Sequence, residues 1–464
     1  MGLKPSSGPT PKAFLREKFP TAFRTHTSLS HARDDVGGAR ASTVVVMDGA
    51  VACMAVPQGC AGFEMYANCV YLSVRDALSS GIVVVLTFDE PEAVSNAKKL
   101  EQVRRDACSK KRKIVTCSND LAPPSPPLDY DRAELRAQPS MHELREHRPT
   151  RAKIFDEVAL YVLERATKVI SQWKTHGHNA GALLIDGVDP RGAERPCDER
   201  RAPVMLGTDA ELVKLFEHEA IGEGDIKLGE LERRVRALQA EEHPTFSPVR
   251  LIQHNTIDSD AIVLGVLDVA RRRVARECDD AAEANTSLHA LVCMRERRAK
   301  DAWADEGATY TTIDVCMLEG QLQRYMWGIS HVPTPHDLMA SALAFAAVAA
   351  ICGCDYVAVK GANFPFSLEA LPMFVKTEST ALARIGMATQ PNDEVARQAA
   401  IGVRTLCCAI GSTMCEKPRY GRQAASVREA SEELLLKTTW AISFWAGRER
   451  VADLSWGFAP APEA

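Results

Sequence analysis

Acidic residues stand directly after apolar runs of this sequence, where they could bind metal ions. Asp48 follows the β-branched run 43–47, and Asp89 follows the apolar run 82–88. Further acids stand in short turns or as pairs two residues apart: Glu223 and Asp225, Asp258 and Asp260, and Asp355. In extended backbone, residues two positions apart point to the same side, so each pair could present both carboxylates to one ligand.

Clustered carboxylates are suited to hard divalent cations, which prefer oxygen ligands. Magnesium usually keeps several waters and takes one or two carboxylates directly. Two such ions about 4 Å apart can hold the attacking and leaving oxygens of a phosphodiester displacement. A pair of such ions held by these acids could therefore act on a phosphodiester.

A structural interpretation of each acid stands beside this one. Aspartate is a favoured N-cap residue, so an Asp at the end of a strand can serve only to begin the next helix. Asp258 and Asp260 could likewise both cap the helix expected from Ala261. The metal interpretation depends on the acids as a set, because they recur in a particular order and local context.

Basic residues form two runs that could contact nucleic-acid phosphates. Eight of them lie between residues 98 and 113: Lys98, Lys99, Arg104, Arg105, Lys110, Lys111, Arg112 and Lys113. A second run contains Arg145, Arg148, Arg151 and Lys153. Either run could instead be the solvated face of a helix.

The order of strand-like and helix-like segments predicts the fold class. Strands are predicted at 43–47, 82–88, 182–185, 249–254, 288–294 and 309–315, and helices at 66–77, 92–113, 154–173, 210–218, 226–239, from 261, and widely after 318. Strands that alternate with helices predict an α/β fold with a parallel sheet. In such sheets, functional residues collect at the carboxyl ends of the strands.

Composition places the chain among ordinary globular proteins. It has 464 residues, a formal net charge of −5 and 25% charged residues. No run approaches 18 consecutive apolar residues, so we expect no membrane partner, and the Ala-rich stretch 338–352 predicts a buried helix. The first 40 residues are polar and basic, so no secretory leader is expected. The fourteen cysteines form no C-x-x-C pair, which favours reduced thiols inside a cell.

The order of the acids resembles that of the flap endonucleases and related 5′ nucleases, a superfamily built on a PIN-like α/β domain. That family begins with Met-Gly, places an Asp after each of two strands, and continues with G-E-A-E, D-x-D and G-S-D-Y or G-C-D-Y. This chain offers, in the same order, Met1-Gly2, Asp48, Thr87-Phe88-Asp89, Gly222-Glu223-Gly224-Asp225, Asp258-Ser259-Asp260 and Gly353-Cys354-Asp355-Tyr356.

The resemblance implies an architecture and a set of ligands. It implies a PIN-like parallel twisted sheet flanked by helices over residues 1–330, a helical arch or insert at about 92–209, and a helical C-terminal region over 331–464 that includes a divergent DNA-binding element. It also implies phosphodiester hydrolysis with two Mg²⁺ ions, for which Mn²⁺ is a substitute. Asp48, Asp89, Glu223 and Asp225 would bind one ion, and Asp258, Asp260 and Asp355 the other. Arch residues Lys98, Lys99, Arg104 and Arg105 would act on the scissile phosphate.

The expected activity is structure-specific hydrolysis of flap or 5′-ended DNA, and two alternatives stay open. A 5′→3′ exoribonuclease shares the order of acids, which would make RNA the partner, and an inactive PIN-like scaffold could bind nucleic acid or protein. The C-terminal region has no recognisable sliding-clamp motif. The basic sequence from Ser109 to Lys113 fits a nuclear localisation signal, with the cytoplasm or a viral replication site as alternatives.

Overall fold

The computed structural model describes about two fifths of the chain in detail. The described residues are 11–27, 43–56, 59–79, 82–88, 130–145, 148–176, 182–188, 204–206, 251–256, 259–277, 289–295, 309–352, 368–369, 371–373 and 375–376.

The strands predicted at 43–47, 82–88, 182–185, 249–254, 288–294 and 309–315 are present in these residues. The helices predicted at 92–113, 210–218 and 226–239 lie outside them. The strands are β1 (Phe23–His26), β2 (Thr43–Asp48), β3 (Val83–Thr87), β4 (Leu183–Asp186), β5 (Val204–Leu206), β6 (Leu251–Thr256), β7 (His289–Arg295) and β8 (Tyr310–Asp314). The helices are α1 (Pro11–Lys18), α2 (Gly49–Ala55), α3 (Gly62–Ser79), α4 (Arg132–Arg136), α5 (Met141–Leu144), α6 (Arg148–Thr175), α7 (Asp260–Glu277), α8 (Val315–Trp327) and α9 (Pro335–Cys352). A short 3-10 helix covers Pro20–Ala22.

All eight strands belong to one mixed sheet in the order β1-β8-β7-β6-β2-β3-β4-β5. The five central strands, from β7 to β4, run parallel to one another. At the edges, β5 is antiparallel to β4, β8 is antiparallel to β7, and β1 is antiparallel to β8. The α/β prediction is therefore confirmed, and the sheet is parallel only in its centre.

Part of the range expected for an arch contributes to this sheet instead. Within residues 92–209, α6 packs against α3, and β4 pairs with β3. The basic segment 98–113 lies outside the described residues. The described part of the range from 148 to 206 is thus an integral part of the sheet domain, and the boundary at residue 330 stays a prediction.

One face of β2, β3 and β4 packs on α3 and α6 to form a hydrophobic core. Alternate strand residues such as Met47, Leu86 and Ile185 point into it, where they meet Phe63 and Tyr66 of α3. Period-two alternation places the intervening residues on the opposite face of the sheet. On the other half of the sheet, α7 and α8 contact β7, and α7 packs against α9.

Helix α9 is buried along much of its length, as the sequence predicts, with Leu338, Leu343 and Phe345 inaccessible to solvent. Among the helices that the structure describes, none is both long and apolar enough to span a bilayer.

Candidate active site at the carboxyl edge of the sheet

The direction in which the chain adds strands to the sheet reverses beside β2. From β2 the chain first builds outward through β3 and β4, and later returns to place β6 and β7 on the other side of β2. In open α/β sheets, ligands bind outside the carboxyl ends of the strands at the point where the strand order reverses. The edge formed by the carboxyl ends of β2 and β6 is therefore where this rule places a ligand site.

Polar side chains occupy this edge in one row across four strands. Asp48 at the end of β2 is the register partner of Thr87 on β3, and Thr87 is the partner of Asp186 on β4. On the other side, Met47 pairs with Asn255, so Thr256 follows at the level of Asp48. Paired residues of neighbouring parallel strands share a face of the sheet. All four side chains are buried, with Asp48 6% and Asp186 1% exposed.

Two carboxylates in this row are separated by only one intervening strand. Neighbouring strands lie about 4.8 Å apart, so the backbones at Asp48 and Asp186 are about 10 Å apart. Both side chains point away from the apolar core on α3 and α6, because their neighbours Met47 and Ile185 point into it. The row thus presents two acids to a single side of the sheet edge.

Asp48 also begins the next helix. It is the N-cap of α2, and its Oδ1 accepts a hydrogen bond of 3.0 Å from the backbone N–H of Val51. The capping interpretation is therefore correct for this residue. It does not exclude a ligand role, since a carboxylate has two oxygens and about four lone-pair sites.

The contact between Gly49 and Phe88 fixes how closely the ends of β2 and β3 approach. A Cβ atom at position 49 would stand 2.5 Å from the Phe88 ring, so only glycine fits there. The backbone N–H of Phe88 in turn donates to the carbonyl of Asp186 at 2.8 Å. The ends of three strands are therefore held in a fixed relation immediately before Asp89, which lies outside the described residues.

The far end of α2 is held by two buried polar side chains. The carbonyl oxygen of Cys53 accepts hydrogen bonds from the Tyr66 hydroxyl at 2.7 Å and from Nη1 of Arg145 at 3.0 Å. A positive charge at a helix C-terminus is favourable because the last carbonyls carry partial negative charge. Arg145 belongs to the second basic run of the sequence, and its side chain is buried in this structural contact.

Asp48 and Arg145 shift the pKa of Cys53, which lies on α2, in opposite directions. Burial raises the pKa of the Cys53 thiol far above its ordinary value, the Asp48 carboxylate raises it further, and the Arg145 guanidinium lowers it. Asp48 and Arg145 therefore act on α2 from opposite ends with opposite charge. The two charges complement the dipole of the short helix between them.

The segment after β6 brings a second predicted acid to the same edge. Helix α7 begins at Asp260, which is buried, and the carbonyl of the preceding Ser259 accepts from the Ile262 N–H at 3.1 Å. Strand β6 itself is buried throughout although it contains Gln253, His254 and Asn255. Because β6 is the direct neighbour of β2, the turn that carries Asp260 and the end of β2 that carries Asp48 lie at one edge of the sheet.

No protein-family model matches this chain, and no curated protein matches it. The resemblance to 5′ nucleases therefore stays a prediction from the order of the acids.

The structure describes two of the eleven site residues predicted from the sequence, Asp48 and Asp260, and brings them to the same edge. The other nine lie outside the described residues: Asp89, Glu223, Asp225, Asp258, Asp355, Lys98, Lys99, Arg104 and Arg105. Among the residues that are described, no group of three His, Cys, Asp or Glu side chains is arranged to hold a metal ion. A complete metal centre would thus need ligands from the remaining part of the chain.

Asp186 is an acid at this edge that the sequence analysis missed. The apolar run 182–185 was identified as a strand, and Asp186-Gly187 follows it just as Asp48-Gly49 follows the run 43–47. Gly187 has a positive φ of 82°, which favours glycine at this turn. The signal was present in the sequence, but the segment lay inside a range attributed to the arch.

Proposed function

We propose that this chain is a divalent-metal-dependent 5′ nuclease that hydrolyses phosphodiester bonds of flap or 5′-ended DNA. One observation carries the proposal: Asp48 ends the strand at which the strand order reverses, with Asp186 in its row on one side and the turn that carries Asp260 on the other. Acids from three distant parts of the sequence thus lie along one edge. This is the arrangement expected if the remaining acids of the motif series complete the same site.

The donor atoms along this edge fit hard cations in their chemistry. The described side chains offer carboxylate oxygens from Asp48, Asp186 and Asp260 and hydroxyl oxygens from Thr87 and Thr256. Mg²⁺ and Mn²⁺ take such oxygen ligands. When bound, two ions would supply positive charge at the attacking and leaving oxygens of the phosphodiester. The chain would hold them with Asp48, Asp186 and Asp260, together with Asp89, Glu223, Asp225, Asp258 and Asp355.

The surrounding structure supports a fixed position for Asp48. Its helix is capped at one end by Asp48 itself and held at the other by Tyr66 and Arg145. Catalytic groups need such rigid support, because small displacements from the productive geometry reduce rates strongly. We assign Arg145 the role of a positioning residue that acts through α2, because its guanidinium bonds to the Cys53 carbonyl.

The test compares metal-dependent cleavage by matched variants. The wild type is incubated with Mg²⁺ and three labelled substrates side by side: a 5′ flap, a nicked duplex and single-stranded RNA with a 5′ phosphate. Asp48→Asn keeps a good N-cap while it removes the charge, since Asn and Asp cap helices equally well. We expect cleavage of the flap by the wild type and its loss in Asp48→Asn and Asp258→Asn.

Asp314→Asn is the matched control for this experiment. Asp314 ends β8 and caps α8 by accepting from the Met317 N–H at 2.9 Å, so its local role equals that of Asp48. Because β8 is antiparallel to β7, however, Asp314 lies at the opposite edge of the sheet. Cleavage should survive this substitution. Cleavage of RNA alone would replace the flap assignment with the exoribonuclease alternative, and no cleavage by folded wild type with Mg²⁺ or Mn²⁺ would favour the inactive scaffold.

A further inference from the structure

Two cysteine side chains lie in contact next to the connection between α2 and α3. The Sγ atoms of Cys60 and Cys69 are 3.5 Å apart. Cys60 stands two residues before α3 and is 2% exposed, whereas Cys69 lies about two turns into that helix and is partly exposed. The connection therefore folds back along α3 and brings together two thiols that are nine residues apart in sequence.

We infer that Cys60 and Cys69 are a redox-sensitive pair that forms a reversible intramolecular disulfide when the protein meets a two-electron oxidant of the peroxide class. This inference is independent of the nuclease proposal. In the overall reaction both S–H bonds are lost, one S–S bond forms, and the peroxide O–O bond breaks. The two thiols lose two electrons and two protons, which reduce one hydrogen peroxide to two waters.

The exposure of the two thiols gives the order of the steps. Burial and the neighbouring thiol raise the pKa of Cys60 to about 12, so Cys60 stays a protonated thiol at neutral pH. Cys69 is the partner that solvent reaches, so its sulfur takes the peroxide oxygen and becomes a sulfenic acid. The Cys60 sulfur then displaces that oxygen, which leaves as water, and the S–S bond closes.

Two other buried thiols in the described part of the chain, those of Cys53 and Cys293, are less accessible to the oxidant than Cys69. Cys53 and Cys293 are fully enclosed, and burial raises the pKa of Cys293 to about 12. Such enclosure keeps the oxidant away from their sulfurs. Cys60 is equally enclosed and reacts only because its sulfur touches that of Cys69. Closing the pair needs the sulfurs to move from 3.5 Å to about 2 Å, the length of an S–S bond. Cys60 and Ala61 lie outside any helix or strand, so Cys60 can make a movement of this size more readily than Cys69 inside α3.

The site can be mapped by mass spectrometry of the full chain. One tryptic peptide, residues 41–75, contains Cys53, Cys60 and Cys69, and cleavage after Glu64 separates Cys69 from the other two. The reduced native protein is treated with hydrogen peroxide, remaining thiols are alkylated, and the chain is digested with trypsin and a glutamate-specific protease without reductant. We expect 41–64 and 65–75 to be joined, with a loss of about 2 Da that dithiothreitol reverses.

Variants and a denatured sample identify the partners. The link should persist in Cys53→Ser and disappear in both Cys60→Ser and Cys69→Ser. In urea the three thiols should pair without this preference, because the native contact no longer selects the partners. The inference is overturned if native oxidation leaves Cys69 as a sulfinic acid or as an alkylated thiol without a link. It is also overturned if the link survives Cys60→Ser. Because the central result comes from the wild type, it does not depend on how well the variants fold.

Discussion

Asp48 and Asp186 occupy one row of the sheet, with Thr87 between them on the intervening strand. They are 138 positions apart in the sequence, yet both are buried at the carboxyl edge and both directly precede a glycine. Two buried carboxylates that face the same side of the sheet edge repel each other, and a cation bound there would offset that repulsion. This pair therefore favours cation binding at the carboxyl edge on physical grounds, independently of any resemblance to a family.

The first prediction concerns Asp186. If it belongs to the active site, Asp186→Asn should lower the rate of metal-dependent cleavage about 100-fold or more, because even partners outside the first coordination sphere commonly cost 10- to 100-fold. Initial rates at saturating Mg²⁺ would measure the effect, with Asp314→Asn as the control at the opposite edge. Equal rates for Asp186→Asn and the wild type would remove Asp186 from the site.

The second prediction concerns the close contact of Gly49 with Phe88. Gly49→Ala places a methyl group 2.5 Å from the ring, and such overpacking should lower the free energy of unfolding by about 1–3 kcal/mol. Phe88→Leu in the same chain should recover part of the loss by making room. Urea unfolding measures both variants.

Gly320→Ala provides the control for that comparison. Gly320 lies within α8 and nothing stands within 4 Å of an added Cβ, so alanine should stabilise by about 0.5–1 kcal/mol. If Gly49→Ala behaved like Gly320→Ala, the contact would not restrict the approach of the two strand ends.

The third prediction concerns the shared acceptor at Cys53. Tyr66→Phe should lower the free energy of unfolding by about 1 kcal/mol and Arg145→Gln by about 1.5–3 kcal/mol, because the latter bond involves a buried charge. Both donors use one carbonyl, so the double variant should lose less than the sum of the two. A double-mutant cycle in urea measures this coupling.

Arg145→Gln should also lower the rate of cleavage, apart from its effect on the free energy of unfolding. As a positioning residue, Arg145 should affect kcat in conditions where the variant is fully folded, and Arg145→Lys should restore part of the rate. Lys168→Ala is the control, since Lys168 is an exposed residue of α6 that lies outside both basic runs. An Arg145→Gln variant with wild-type kcat would reduce Arg145 to a structural role.

The fourth prediction is a pH dependence at the start of α9. Although partial burial by itself raises the pKa of Asp337, hydrogen bonds from Thr334 and from His331 hold it below its ordinary value. A lowered folded-state pKa adds stability above the unfolded value near 3.8, and this stability is lost as the pH falls through the folded value. Asp337→Asn should therefore cost about 0.3–1 kcal/mol at pH 7, and this cost should shrink as the pH falls below 3.8. A difference that persisted unchanged to pH 3 would contradict this assignment.

Periodicity in the sequence predicts the elements of the sheet better than their pairing. The apolar runs at 43–47, 82–88 and 182–185 predict β2, β3 and β4 within one residue or two, because strands buried on both faces are continuously apolar. Strands β1 and β5 have only four and three residues, too few to show a period. The sequence pattern within β8 does not show that this strand runs antiparallel to β7. Its direction depends on the path that the chain takes between the two strands.

In the candidate site, too, the sequence predicts residues at the ends of strands but not which strands lie side by side. Asp48 and Asp260 could be predicted because each stands at a recognisable boundary between a strand and a helix. Asp186 stands at such a boundary too, but its place beside Thr87 depends on β4 pairing with β3 across nearly a hundred residues. The support of α2 by Arg145 also joins residues that are 92 positions apart, and no spacing rule connects them.

The central claim is that acids from distant segments form one cation site at the carboxyl edge. Mn²⁺ binding to the purified full chain, followed by the loss of the free-ion electron paramagnetic resonance signal, tests this claim without a nucleic-acid substrate. We predict saturable binding to the wild type and to Asp314→Asn, and at least a tenfold weaker binding, about 1.4 kcal/mol, to Asp48→Asn and to Asp186→Asn. Equal Mn²⁺ affinity in all four proteins, or no binding by the folded wild type, would contradict the account.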